Sequence, residues 1–88
     1  MSPELKAKAR ELGFNETVTL DGRKLNVQTE VSGSATLSVR TIVMDGGAVR
    51  LAETRPLPEA ADDLEALRAL VAAQHKWAID ELNAGRGS

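Results

Sequence analysis

Between Phe14 and Leu51 every second side chain is apolar or faces one side, and glycine-containing turns interrupt this alternation. Few folds accommodate such a pattern. A period of two places alternate residues on opposite faces of a strand, so one face is buried and the other meets water. Leu25, Val27, Thr29 and Val31 alternate with Lys24, Asn26, Gln28 and Glu30. Phe14, Glu16, Val18 and Leu20 alternate with Asn15, Thr17 and Thr19, and Ala35, Leu37, Val39, Thr41 and Val43 with Thr36, Ser38, Arg40, Ile42 and Met44. On a last strand Val49 and Leu51 are expected to face in and Arg50 out. Asp21-Gly22, Ser32-Gly33-Ser34 and Asp45-Gly46-Gly47 separate these runs. Such dipeptides between alternating runs signal hairpins, and sequential strands tend to be neighbours, so the topology predicted is an up-and-down antiparallel meander.

Both flanks of the sheet read as helix. Ser2-Pro3-Glu4 offers a capping hydroxyl, a proline suited to the first helical position and an acid for the positive end of the dipole. Leu5, Ala9 and Leu12 form a narrow apolar stripe, and Gly13 is expected to stop the helix in the left-handed conformation. Beyond Pro56-Leu57-Pro58, which ends the sheet, no glycine or proline occurs from Glu59 to Ala84. That stretch predicts a helix of about 26 residues, ~39 Å long, with Glu59, Asp62 and Asp63 in its first turn. Gly85 would stop it and Gly87-Ser88 would form a short tail. The fold class expected is α+β: a short N-terminal helix, a four-stranded antiparallel β-meander and one long C-terminal helix packed on the sheet. One domain spans 1–88, with the helical extension at 1–13, the sheet at 14–55 and the helix at 58–85. Leu, Ile, Val and Phe make up 21 of the 88 residues, enough for a thin core.

Apolar surface is in excess. Leu64, Leu67, Val71, Gln74 and Ala78 form the seam expected to lie on the sheet, with Leu70 and Trp77 beside it. A 39 Å helix on strands of about 26 Å would overhang by roughly two turns, and that end carries Trp77, Ile79 and Leu82. Ile42 and Met44 point to the face that Lys24, Asn26, Gln28, Arg40 and Arg50 make polar, where the N-terminal helix or a partner would cover them. The sheet has two open edges, neither with a proline in its middle. The expectation is a homodimer or a complex with another protein, with Trp77, Ile79, Leu82, Gln74, His75, Ile42 and Met44 at the interface.

Chemistry is sparse. His75 is the single histidine, and its helical neighbours Val71, Ala72, Ala78 and Ile79 offer nothing to orient an imidazole or share a metal. A surface or partner-facing histidine is therefore expected. The acids Glu59, Asp62, Asp63 and Glu65 lack the spacing of a cation loop. Neither glycine turn sits in a phosphate loop or a dinucleotide fingerprint. No cysteine is present, so there is no disulfide, thiolate metal site or cysteine nucleophile. No catalytic, cofactor or metal site is expected, no small-molecule substrate is inferred, and no apolar run reaches the length of a membrane span. No signal-peptide pattern opens the chain.

Nucleic acid is the rival partner. Lys24, Arg40 and Arg50 alternate onto the open face. A four-stranded sheet followed by a dimerising helix resembles, in element order only, a class of single-strand-binding coactivator domains. That face has no aromatic platform, and the net charge is −2. A third alternative is a small inhibitor or regulator that docks on another protein by an edge strand or its helix.

Val18-Thr19-Leu20-Asp21-Gly22, Val27-Gln28-Thr29-Glu30, Thr41-Ile42-Val43 before Gly46-Gly47, and Gln74-His75-Lys76 on a helix ending at Gly85 form a pattern. Over residues 14–85 it resembles a group of small bacterial proteins and appended domains with no established function. Leu25 and Asn26 stand where that group usually has an aromatic or histidine, and Val31 where it has Asp. The resemblance implies a bacterial, cytoplasmic setting and a specific contact at Gln74-His75-Lys76. It implies no activity.

Overall fold

The computed structural model describes residues 1–85. The expected tail Gly87-Ser88 lies outside them. The chain runs through helix α1 (Pro3–Ala9), strands β1 (Gly13–Leu20), β2 (Arg23–Gly33), β3 (Leu37–Asp45) and β4 (Ala48–Pro56), and helix α2 (Leu64–Asn83). The strands form one antiparallel sheet in the order β1-β2-β3-β4, the meander that the turn spacing predicts. Leu20 pairs with Arg23 across Asp21-Gly22, and Asp45 with Ala48 across Gly46-Gly47. Both turns have positive φ at the two central residues (52° and 77°, then 58° and 92°), the twist that tight hairpins require.

α2 is shorter than its glycine-free stretch. It begins at Leu64, where the Asp63 carboxylate accepts from the Glu65 N–H at 3.0 Å, and runs 20 residues, about 30 Å. Glu59 and Asp62 lie outside it. Glu59 instead takes the chain's N-terminal ammonium on its carbonyl and the Lys6 ammonium at 3.6 Å on its carboxylate. Side-chain capping by Asp63 thus starts the helix, and the segment before it anchors α1.

The 26-residue helix and its overhang are therefore corrected. β2 alone has 11 residues, about 36 Å, so the sheet is longer than α2. The helix end stays over it, and Leu82 is buried.

α1 also ends early, at Ala9 with Arg10 as its C-cap. Gly13 is not a left-handed stop but the first residue of β1. A Cβ there would lie 2.9 Å from the Thr29 carbonyl, so close strand pairing explains the glycine. α1 packs on the same face as α2: Ala9 and Leu12 share a cluster with Val31, Leu37, Val39, Leu57, Leu67 and Val71. It leaves Ile42 and Met44 uncovered. A second cluster, of Leu25, Val27, Val43, Ala78 and Leu82, fills the other end.

β4 departs from its expected phase. A bulge between Val43 and Met44 places Val49 opposite Met44, so Val49 joins the open face and is 61% exposed rather than facing in. No helix among the described residues is long and apolar enough to cross a membrane.

Candidate functional site

Four polar residues separate the two apolar clusters: Thr29 on β2, Thr41 on β3, and Gln74 and His75 on α2, all buried. Thr29 and Thr41 are cross-strand partners at inward positions, with hydroxyls 2.8 Å apart. His75 Nδ1 lies 2.8 Å from Thr29 Oγ1, and Nε2 lies 2.7 Å from the Glu16 carboxylate on β1. The Phe14 ring lies 5.3 Å from the imidazole at a 31° tilt. Gln74 Nε2 faces three oxygens, Val39 O at 3.1 Å and Thr41 Oγ1 and Glu53 O at 3.2 Å, which fixes the amide orientation.

These contacts set the polarity of the chain. A carboxylate only accepts, so with a neutral ring Nε2–H donates to Glu16 and Nδ1 accepts from the Thr29 hydroxyl. Thr29 then accepts from Thr41, and Thr41 from the Gln74 amide. Among the described residues Gln74 Oε1 is buried without a partner. That costs about 1–3 kcal/mol.

His75 is thus neither a surface residue nor unoriented, as its neighbours along the helix suggest; the orienting groups come from across the sheet. Glu16, His75 and Thr29 line up as carboxylate, imidazole and hydroxyl, the order used to activate a nucleophile. Here Thr29 is 2% exposed and its hydroxyl already receives a bond from Thr41, so the arrangement ties β1, β2 and β3 to α2 with this oxygen enclosed in the core. No group of three or more histidines or acids among the described residues could hold a metal.

Of the residues expected at an interface, Gln74, His75 and Leu82 are corrected. They lie inside the molecule, because α2 lies wholly over the sheet and turns them onto it. Ile79 is half-buried against the second apolar cluster. Ile42 and Met44 are half-buried on the open face, where Val49 joins them. Trp77 is half-buried, and the Arg55 guanidinium carbon lies 4.5 Å from its ring centroid, a cation–π contact.

Trp77 and Arg55 point to a surface that single-residue reading of the helix misses. α2 packs over β1, β2 and β3, leaving β4 at its margin. Between them lies a groove of about 220 Å³ lined by Val39, Arg55, Pro56, Leu57, Leu70 and Gln74, and Leu70 is 44% exposed. Glu53 accepts from Arg55 at 3.1 Å on the same strand. The signal in the sequence was Glu53-Thr54-Arg55 on a strand with an open edge.

The basic residues expected on the open face are dispersed. The bulge that turns Val49 outward takes Arg50 off that face, a correction of its expected place. It pairs at 3.0 Å with Asp45, two residues past inward-facing Val43, as Arg23 does at 2.8 Å, and Arg40 stands opposite Glu30 in the ladder. Lys24 completes the set without an aromatic neighbour on that face. Binding to short single-stranded DNA and RNA is therefore expected to be weak. Its salt dependence should be shallow and unchanged by Arg40→Ala with Arg50→Ala. A steep salt slope abolished by that pair would reinstate the nucleic-acid function.

Searches against protein-family models, curated proteins and solved structures find no match to this chain. The resemblance carried by the Val-Gln-Thr-Glu strand and the Gln-His-Lys helix therefore brings no family with it.

Proposed function

We propose that the protein is a small non-catalytic interaction module that self-associates through its β4 side. The carrying observation is that, among the described residues, β4 ends the sheet as an unpaired edge. Beside it lie half-buried Trp77, exposed Leu70 and the apolar groove. An unpaired edge presents backbone donors and acceptors ready for another strand, and this one carries no proline in its middle. Trp is enriched among interface anchors, and its place at the β4 margin rather than on a helix overhang shifts the expected interface from α2 alone to α2 with β4. Burial of the Thr29 hydroxyl argues against catalysis by the Glu16–His75–Thr29 chain. A bacterial, cytoplasmic setting belongs to this proposal on the strength of the resemblance.

Light scattering across a concentration series tests it. The expected mass rises from 9.4 kDa toward twice that value, and Trp77→Ala shifts the rise to higher concentration. A monomer up to about 1 mM would overturn self-association, since a Kd weaker than that leaves less than about 4 kcal/mol of binding free energy.

A further inference from the structure

We propose that the second copy adds to β4 as an antiparallel strand about a two-fold axis at Thr54, so that Glu53 of each chain faces the partner's Arg55. This rests on the self-association proposed above and adds its register.

The geometry starts from the ladder. The Leu57 N–H donates to Leu37 O at 2.9 Å, continuing the β3–β4 register in which Arg55 faces Val39 and Glu53 faces Thr41. Hydrogen-bonded pairs recur every second residue, so Leu51, Glu53 and Arg55 exchange their backbone bonds with β3. Ala52 and Thr54 therefore turn their N–H and C=O outward, along the open edge.

A strand pairing with its own copy must place one residue on the axis, and charge selects which. An axis at Glu53 sets Glu53 against the partner's Glu53 at close range. An axis at Arg55 opposes two guanidinium groups in the same way. An axis at Ala52 sets Glu53 against the partner's Leu51. Only an axis at Thr54 sets Glu53 against the partner's Arg55, and symmetry makes that pair twice. Opposite charges directly across an antiparallel pair stabilise it, and like charges destabilise it. Glu53 and Arg55 are accessible for this, with side chains 35% and 45% exposed.

The backbone fits the same register. Thr54 exchanges two bonds with the partner's Thr54, and the Ala52 N–H reaches the partner's Pro56 carbonyl, with the symmetric bond returning. Pro56 has no N–H to offer, and it falls at the end of the paired segment, where a proline is tolerated. The other edge has no comparable selection: Glu16 is the single charged residue of β1 and already binds His75.

The chain contains no cysteine, so an introduced thiol reports register directly. Across a hydrogen-bonded antiparallel pair the Cα atoms are about 5.5 Å apart, inside the range a disulfide spans. Thr54→Cys is expected to oxidise to a covalent dimer in glutathione buffer. Ala52→Cys is expected to stay uncrosslinked, because its two copies would be four residues apart along the strands, about 13 Å.

Glu53→Arg or Arg55→Glu is expected to weaken association about tenfold, and the double exchange to restore most of it. Light scattering that shows a dimer while Ala52→Cys crosslinks and Thr54→Cys does not would overturn this register and leave self-association standing. Dimers indifferent to both charge reversals would also overturn it. A monomer at every concentration would overturn both proposals.

Discussion

Thr29→Val is expected to lower stability by about 3 kcal/mol, whereas Thr41→Val should cost about 1 kcal/mol. The two threonines are cross-strand neighbours, equally buried and of the same shape. The difference comes from direction. Removing the Thr29 hydroxyl takes the donor from His75 Nδ1 and the acceptor from Thr41, orphaning two buried groups at once. Removing the Thr41 hydroxyl leaves Thr29 donating to His75, and Gln74 Nε2 keeps Val39 O and Glu53 O. An orphaned buried polar group costs about 1–3 kcal/mol, while deleting a side chain whose partners remain satisfied costs less. Urea denaturation of the two variants measures the gap. Equal losses, or a larger loss for Thr41→Val, would mean that the chain runs the other way.

Gly33→Ala is expected to destabilise by about 3 kcal/mol, from backbone strain and steric overlap together. Gly33 ends β2 with φ at +114°, and a Cβ there would sit 2.1 Å from the Thr36 carbonyl oxygen. Backbone cannot yield as a flexible side-chain tip would. The same loop docks α1, since Arg10 donates to Gly33 O at 3.3 Å and Lys6 donates to Ala35 O at 2.6 Å. Opening it therefore loosens the N-terminal helix as well. For a domain this small, 3 kcal/mol corresponds to a fall in Tm of roughly 12–24 °C. Gly22→Ala gives a comparison: its φ is +77° but nothing lies within 4 Å of the added Cβ, so its cost should be the smaller of the two. If Gly33→Ala costs no more than Gly22→Ala, the close approach to Thr36 contributes nothing.

The candidate surface was partly legible. The open edge and Trp77 stood out, and the sequence placed both in an interface. Three residues assigned with them, Gln74, His75 and Leu82, were misplaced for one reason. The overhang depended on two lengths, and neither was fixed locally: Asp63 starts α2 later than the glycine-free stretch suggests, and β2 is longer than eight residues. His75 shows the limit more sharply. Its helical neighbours are apolar, and its partners Thr29 and Glu16 lie 46 and 59 positions away. A hint was present, because Thr29 and Thr41 occupy inward positions in otherwise apolar alternations. That pattern marks a polar seam without naming what meets it.

Local chemistry alone determined the four strands, their turns, the order in which they pair and the existence of both helices. Alternation and turn stereochemistry act within a few residues and need no distant contact. Tertiary structure decided where α2 begins, which face α1 covers, how the bulge turns Val49 outward and what orients His75. Each of these compares free energies between segments far apart in the chain, such as Glu59 with Lys6 or Glu16 with His75. Periodicity, which records only near neighbours, carries no term for them.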